Sequence, residues 1–213
     1  MKLALFSTAL LASGLASAAT PVNGWYSSVF GGYAYIPGYT SRFDSGFFFS
    51  DTAYRNGFNL GARLGYQSNP LRYEIEYTYL QADTKKFDVF LIPQAGVSGN
   101  THANIGMANI YYDFADVILP TISPFLGVGI GYAYIQNSLE STGPFGAIFF
   151  KQNNGVFAYQ GTAGLTYNFA ENFAINASYR YLATSSSDTY GKTFQSQMGD
   201  VGVVYRFDQC DYK

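Results

Sequence analysis

Cysteine is almost missing from this chain: Cys210, close to the C-terminal end, is the single one. A lone thiol makes no internal disulfide, so a small disulfide-stapled scaffold is excluded, and Cys210 reads as a free thiol on a polar tail. Histidine is just as rare. One imidazole, His102, with no cysteine beside it falls short of the ligand count of a metal site, and nothing in the pattern calls for a cofactor. Charge is scarce as well, at 12% of residues against about 25% in an ordinary soluble domain. The formal net charge of -2 leaves no basic footprint, which excludes nucleic acid as a partner. Past the first 20 residues no apolar run approaches the roughly 20 residues that a membrane helix needs. If this chain crosses a membrane, it does so as strands.

The opening MKLALFSTALLASGLASAAT carries Lys2, an apolar run from Leu3 to Leu15 and the small triplet Ala16-Ser17-Ala18. That is the layout of a secretory signal peptide, so residues 1–19 are expected to be removed after Ala18 or Ala19. No cysteine follows the cleavage site, and no lipid anchor is expected there. Composition does not shift along the remainder, which reads as one domain over 20–207 with a short tail at 208–213.

What the sequence has in quantity is aromatic residues, at 19%, and glycine, with 23. They alternate. In LRYEIEYTYL (71–80) Leu71, Tyr73, Ile75, Tyr77 and Tyr79 share one face of an extended chain, and Arg72, Glu74, Glu76, Thr78 and Leu80 the other. The same period-two pattern recurs at 57–67, 123–135, 156–169, 172–183 and 196–207. Segments 25–36 and 103–114 are less regular, with apolar residues on both faces. The total is eight strands. Short links (Ser68-Asn69, Ala170-Glu171 and about eight residues around Pro120) alternate with long ones at 38–56, 83–101, 137–154 and 184–195. The expected fold class is therefore all-β: an eight-stranded antiparallel up-and-down transmembrane β-barrel, with tight periplasmic turns and long external loops. The ring-rich face of 71–80 then meets lipid and its charged face lines the interior. Gly61, Gly65, Gly127, Gly129, Gly131 and Gly164 suit an interior only just wide enough for side chains.

The segments SPFLGVGIGYAYI, NIYYDF and YQGTAGLTYNFAENFAINASYRYL resemble the small outer-membrane barrels of the opacity and surface-antigen type, relatives of the OmpA/OmpX-like barrel domain. The resemblance covers essentially the whole mature chain and rests on strand and turn patterns, with no catalytic signature. It implies a barrel in the outer membrane of a Gram-negative bacterium, inserted by the barrel assembly machinery. Outer-membrane lipid and lipopolysaccharide would surround it, and its external loops would meet host or environment. Such barrels usually end on an aromatic residue, whereas Phe207 here is followed by DQCDYK.

Two groups of residues are candidates for function. The first is a charged interior network of Arg63, Arg72, Glu74, Glu76, Arg180, Asp200 and Arg206. With Ser68-Asn69 as the turn, Gln67 opposes Pro70, Arg63 faces Glu74 and Gly61 faces Glu76; if Thr184 opposes Ser196, Arg180 faces Asp200. Charges paired in this way plug the interior; a narrow channel or a hydrophobic passage is the alternative. The second group is aromatic: Phe47, Phe48 and Phe49 in the first long link, and Phe145, Ile148, Phe149 and Phe150 in the third. Rings gathered there either cap extended strands or meet a partner. A lipid A modifying enzyme is a third reading, resting on His102 with Ser98 and Thr101 nearby, but no acid is spaced to orient the imidazole.

Overall fold

Alternation in the sequence turns directly into pairing. The computed structural model describes residues 23–37, 39–42, 49–54, 57–89, 92–93, 95–114, 119, 121–143, 146–185 and 193–207. Their strands are β1 (Gly24–Tyr35), β2 (Tyr39–Arg42), β3 (Phe49–Tyr54), β4 (Gly57–Ser68), β5 (Leu71–Val89), β6 (Ile92–Pro93), β7 (Ala95–Asp113), β8 (Ile122–Gly143), β9 (Gly146–Asn168), β10 (Phe173–Thr184) and β11 (Gln195–Arg206). Eight of them, β1, β4, β5, β7, β8, β9, β10 and β11, pair antiparallel in that order, and β1 pairs with β11 to close the ring. The expected eight-stranded barrel is the fold observed. Closure leaves no edge among these strands, which is what a backbone surrounded by lipid requires. The short β2, β3 and β6 attach only to one another or to the outer end of β5.

The outer wall is apolar: Val29, Leu60, Ile75, Val128 and Val201 stand in its middle zone, each well exposed on the isolated barrel. Rings gather at either end of that zone. Trp25 and Tyr66 meet edge-on at 5.5 Å and Phe173 and Tyr205 pack at 5.0 Å near the end that carries the short turns. Tyr33, Tyr77, Tyr132 and Tyr179 stand toward the opposite end, which carries the long hairpins. These are the two aromatic girdles of a membrane barrel.

The structure corrects four details of the sequence reading. The first turn is Asn69-Pro70, not Ser68-Asn69, so Ser68 pairs with Leu71, Arg63 with Glu76 and Gly65 with Glu74. Proline has no N–H to give to the ladder and belongs in the turn; its carbonyl accepts the Asp113 N–H at 2.8 Å. Second, the link after β9 takes up 169–172 and is closed by the Ala170 N–H, which donates to the Phe173 carbonyl at 3.2 Å. Third, in the last hairpin Leu182 pairs with Ser196, so Arg180 lies opposite Met198, and Asp200 opposite Ser178. Fourth, much of 83–101 and 137–154 is strand: β8 and β9 stay paired out to Gly143 and Gly146. Residues 1–22, Cys210 and the tail lie outside the described residues.

Candidate functional site

Where side chains are described, alternate residues of each barrel strand point inward, and those side chains sort by depth. Near the short-turn end and at mid-depth the interior is polar and charged. Arg63 Nε lies 2.7 Å from Glu76 and 3.6 Å from Glu74; Arg72 lies 3.6 Å from Glu74 and 3.3 Å from Asp113. Arg180 touches Glu76, holds Asp200 at 2.8 Å and donates to Thr78 Oγ1 at 3.1 Å. Arg206 donates to Asn168 Oδ1 at 2.6 Å. Among the described residues the interior thus holds four arginines (63, 72, 180, 206) and four carboxylates (74, 76, 113, 200), all buried, with a formal sum of zero.

Position in the ring gives these contacts their meaning. Glu76 on β5 and Arg180 on β10 stand four strands apart in a ring of eight, so their contact spans the interior. Gln160 on β9 reaches Asn109 on β7 at 2.7 Å, and the Tyr26 hydroxyl of β1 donates to Glu74 of β5. Rings fill the space between: the Arg63 guanidinium lies 3.9 Å over Phe30, and Arg72 lies 4.7 Å from the ring centres of both Tyr111 and Phe125. Glycine on the facing strand makes room for these rings. A Cβ on Gly127 would fall 2.0 Å from the Tyr111 ring, and one on Gly65 2.4 Å from Tyr26.

Toward the external end the interior changes character. Ile36, Leu80, Ile105, Ile135, Leu182 and Met198, with small alanines between them, form one buried apolar cluster, and Phe194 packs against it. Sequence reasoning missed this layer and missed Asp113. Asp113 shares parity with Asn109 and Tyr111, and Ile105 and Met107 make 103–114 apolar on both faces; both signals were present in the sequence.

The expected interior residues Arg63, Arg72, Glu74, Glu76, Arg180, Asp200 and Arg206 all lie inside, but Arg63 bonds Glu76 more closely than Glu74, and Arg180 meets Asp200 diagonally. Phe49 opens β3, and Ile148, Phe149 and Phe150 lie in β9 at positions paired with Ser141, Glu140 and Leu139. Phe47, Phe48 and Phe145 fall outside the described residues, as do all of these side chains. Thr101 is buried in the interior, while His102 faces outward, its Nδ1 2.7 Å from the Tyr79 hydroxyl.

Comparison with known proteins agrees with this geometry. The family model described as outer membrane protein beta-barrel domain matches residues 3–207. An "Outer membrane protein" of Gluconacetobacter diazotrophicus is 29% identical over 88% of this chain and 54% of its own length; an uncharacterized protein of Brucella abortus is 26% identical over 70% of this chain and 59% of its own. The chain thus spans little more than half the length of these curated relatives. Among solved structures, Neisserial surface protein A matches with a TM-score of 0.54 and 18% identity, over 86% of this chain and 97% of that one. OprG from Pseudomonas aeruginosa matches with 0.55 and 12%, over 89% and 98%.

Proposed function

Because the chain belongs to the outer membrane protein beta-barrel domain family, we propose that it serves at the cell surface as a non-enzymatic barrel that presents its external hairpins to host or environment. The observation that carries this reading is the contact between Glu76 and Arg180 across the interior, which leaves the external rim as the part able to engage something outside. The extended hairpins β5/β7 and β8/β9 supply that rim. Export with removal of residues 1–19, insertion by the barrel assembly machinery and contact with lipopolysaccharide belong to the same reading. Thr101 and His102 point to opposite faces of the wall, which weighs against a lipid A modifying centre built on them. The apolar outer layer of the interior favours a hydrophobic passage as the second reading, since it would receive an apolar solute more readily than an ion.

The proposal is tested on the tip of the β8/β9 hairpin. Replacing Phe149 and Phe150 together by Ser removes two aromatic anchors of the kind that dominate interfaces. Adherence of cells displaying the variant is expected to fall about tenfold or more, with the unfolding midpoint in detergent unchanged. Unchanged adherence contradicts it.

A further inference from the structure

The outer wall carries the same arrangement twice. On β7, Gly106 stands between Tyr77 of β5 and Tyr132 of β8; one row nearer the external end, Asn104 stands between Tyr79 and Tyr134. On β11, Gly199 stands between Tyr33 of β1 and Tyr179 of β10; one row outward, Gln197 stands between Tyr35 and Tyr181. The strands β7 and β11 are four apart in the ring, so the two arrangements occupy opposite walls.

A strand glycine between two rings is usually covered by them. Here it is not: a Cβ built on Gly106 or on Gly199 meets nothing within 4 Å. Each glycine is therefore the floor of an open notch with tyrosine walls, set in the wall that faces the outer leaflet. The amide above each notch needs its own explanation, because a carboxamide on a lipid-facing wall wants a polar partner. Asn104 Oδ1 accepts from the Tyr77 hydroxyl at 2.7 Å, which leaves its Nδ2 as a donor for a neighbour.

Resting on the reading of this chain as an outer-membrane surface barrel in contact with lipopolysaccharide, we propose that each notch seats one acyl chain of a lipopolysaccharide molecule, with the linkage of that chain to its sugar hydrogen-bonded to Asn104 or Gln197. Lipid A carries some of its chains through amides. An amide offers both N–H and C=O to a side-chain carboxamide, whereas the ester of a phospholipid offers only acceptors. The β7 notch is the stronger of the two. Above Asn104 it has a further polar row, Gln81, His102 and Gln136, in register on three strands, with the His102 ring stacked on Tyr79 at 5.9 Å. That row stands where the phosphorylated sugar would lie.

Native mass spectrometry of the protein extracted from outer membranes in mild detergent counts the lipids retained per barrel. The wild type is expected to carry lipopolysaccharide at up to two copies. Gly106→Leu fills the stronger notch and removes most of the binding, Gly199→Leu removes the remainder, and the double variant retains less than about a tenth. Ala108→Leu is the control: Ala108 faces outward on the same strand between Ile75 and Ile130, away from the tyrosine walls, so binding is unchanged. Heat-modifiable migration verifies folding, and Asn104→Leu with Gln197→Leu, which is expected to lose binding as well, replaces any glycine variant that fails it. Full lipopolysaccharide retention by the folded variants overturns the proposal. So does phospholipid bound at the notches in its place, or a second copy of the chain occupying them.

Discussion

Glu76 touches two arginines from different strands, so its removal leaves two buried guanidinium groups short of charge. Breaking a buried pair costs about 3–5 kcal/mol, and replacing a whole cluster by apolar residues of similar size is often neutral or better. Glu76→Ala is therefore expected to lower stability by that amount in urea unfolding in detergent. Glu76→Leu combined with Arg63→Met, Arg180→Met and Asp200→Leu, which leaves no carboxylate stranded by the loss of Arg180, should recover most of it; a quadruple variant no more stable than Glu76→Ala would contradict the pairing. The same logic of fit applies to Gly127. A methyl there has no room beside Tyr111, so Gly127→Ala is expected to cost about 1–3 kcal/mol, and Tyr111→Ala in the same chain should relieve the clash. Equal losses with and without Tyr111 would contradict it. The choice of cation was legible in the sequence. Arg63, Arg72, Arg180 and Arg206 all fall at inward parity, and a forked guanidinium can hold two carboxylates as Arg63, Arg72 and Arg180 do.

Alternation reveals which face a strand turns inward, and it did so correctly for β4 and β5. It does not reveal register. A slip of two residues leaves every side chain on its own face, so the difference between Arg63 opposite Glu74 and opposite Glu76 is invisible to periodicity. Pro70, a residue without an N–H, was the local signal that could have decided it. Strand length was hidden for another reason. Beyond the lipid nothing requires one face of a strand to be apolar, the alternation fades from the sequence, and 137–154 reads as loop. The aromatic loop residues stayed undecided because a cap and a binding surface use the same rings. Register is open to direct test by cross-linking in a Cys210→Ser background. Leu64→Cys with Ile75→Cys should form a disulfide readily, and Leu64→Cys with Tyr73→Cys should not. The reverse result would restore the turn at Ser68-Asn69.

The whole molecule sorts its charge by location. The interior uses arginine, while Arg42, Arg55, Lys85, Lys86, Lys151 and Lys192 fall in the segments between the membrane strands or in their outer ends. Trypsin added to intact cells should therefore cut at those positions and leave Arg63, Arg72, Arg180 and Arg206 untouched; cleavage confined to the barrel arginines would invert the topology. The neutral interior is crossed by Glu76 and Arg180 and has an apolar layer around Ile105 and Leu182 on its outward side, so the barrel is expected to block the passage of ions. Conductance of the refolded protein in planar bilayers tests that claim most directly. The wild type is expected to be silent at moderate voltage, and Glu76→Ala with Arg180→Ala should remain silent because the apolar layer is intact. Steady, reproducible current steps from the wild type would contradict a filled interior.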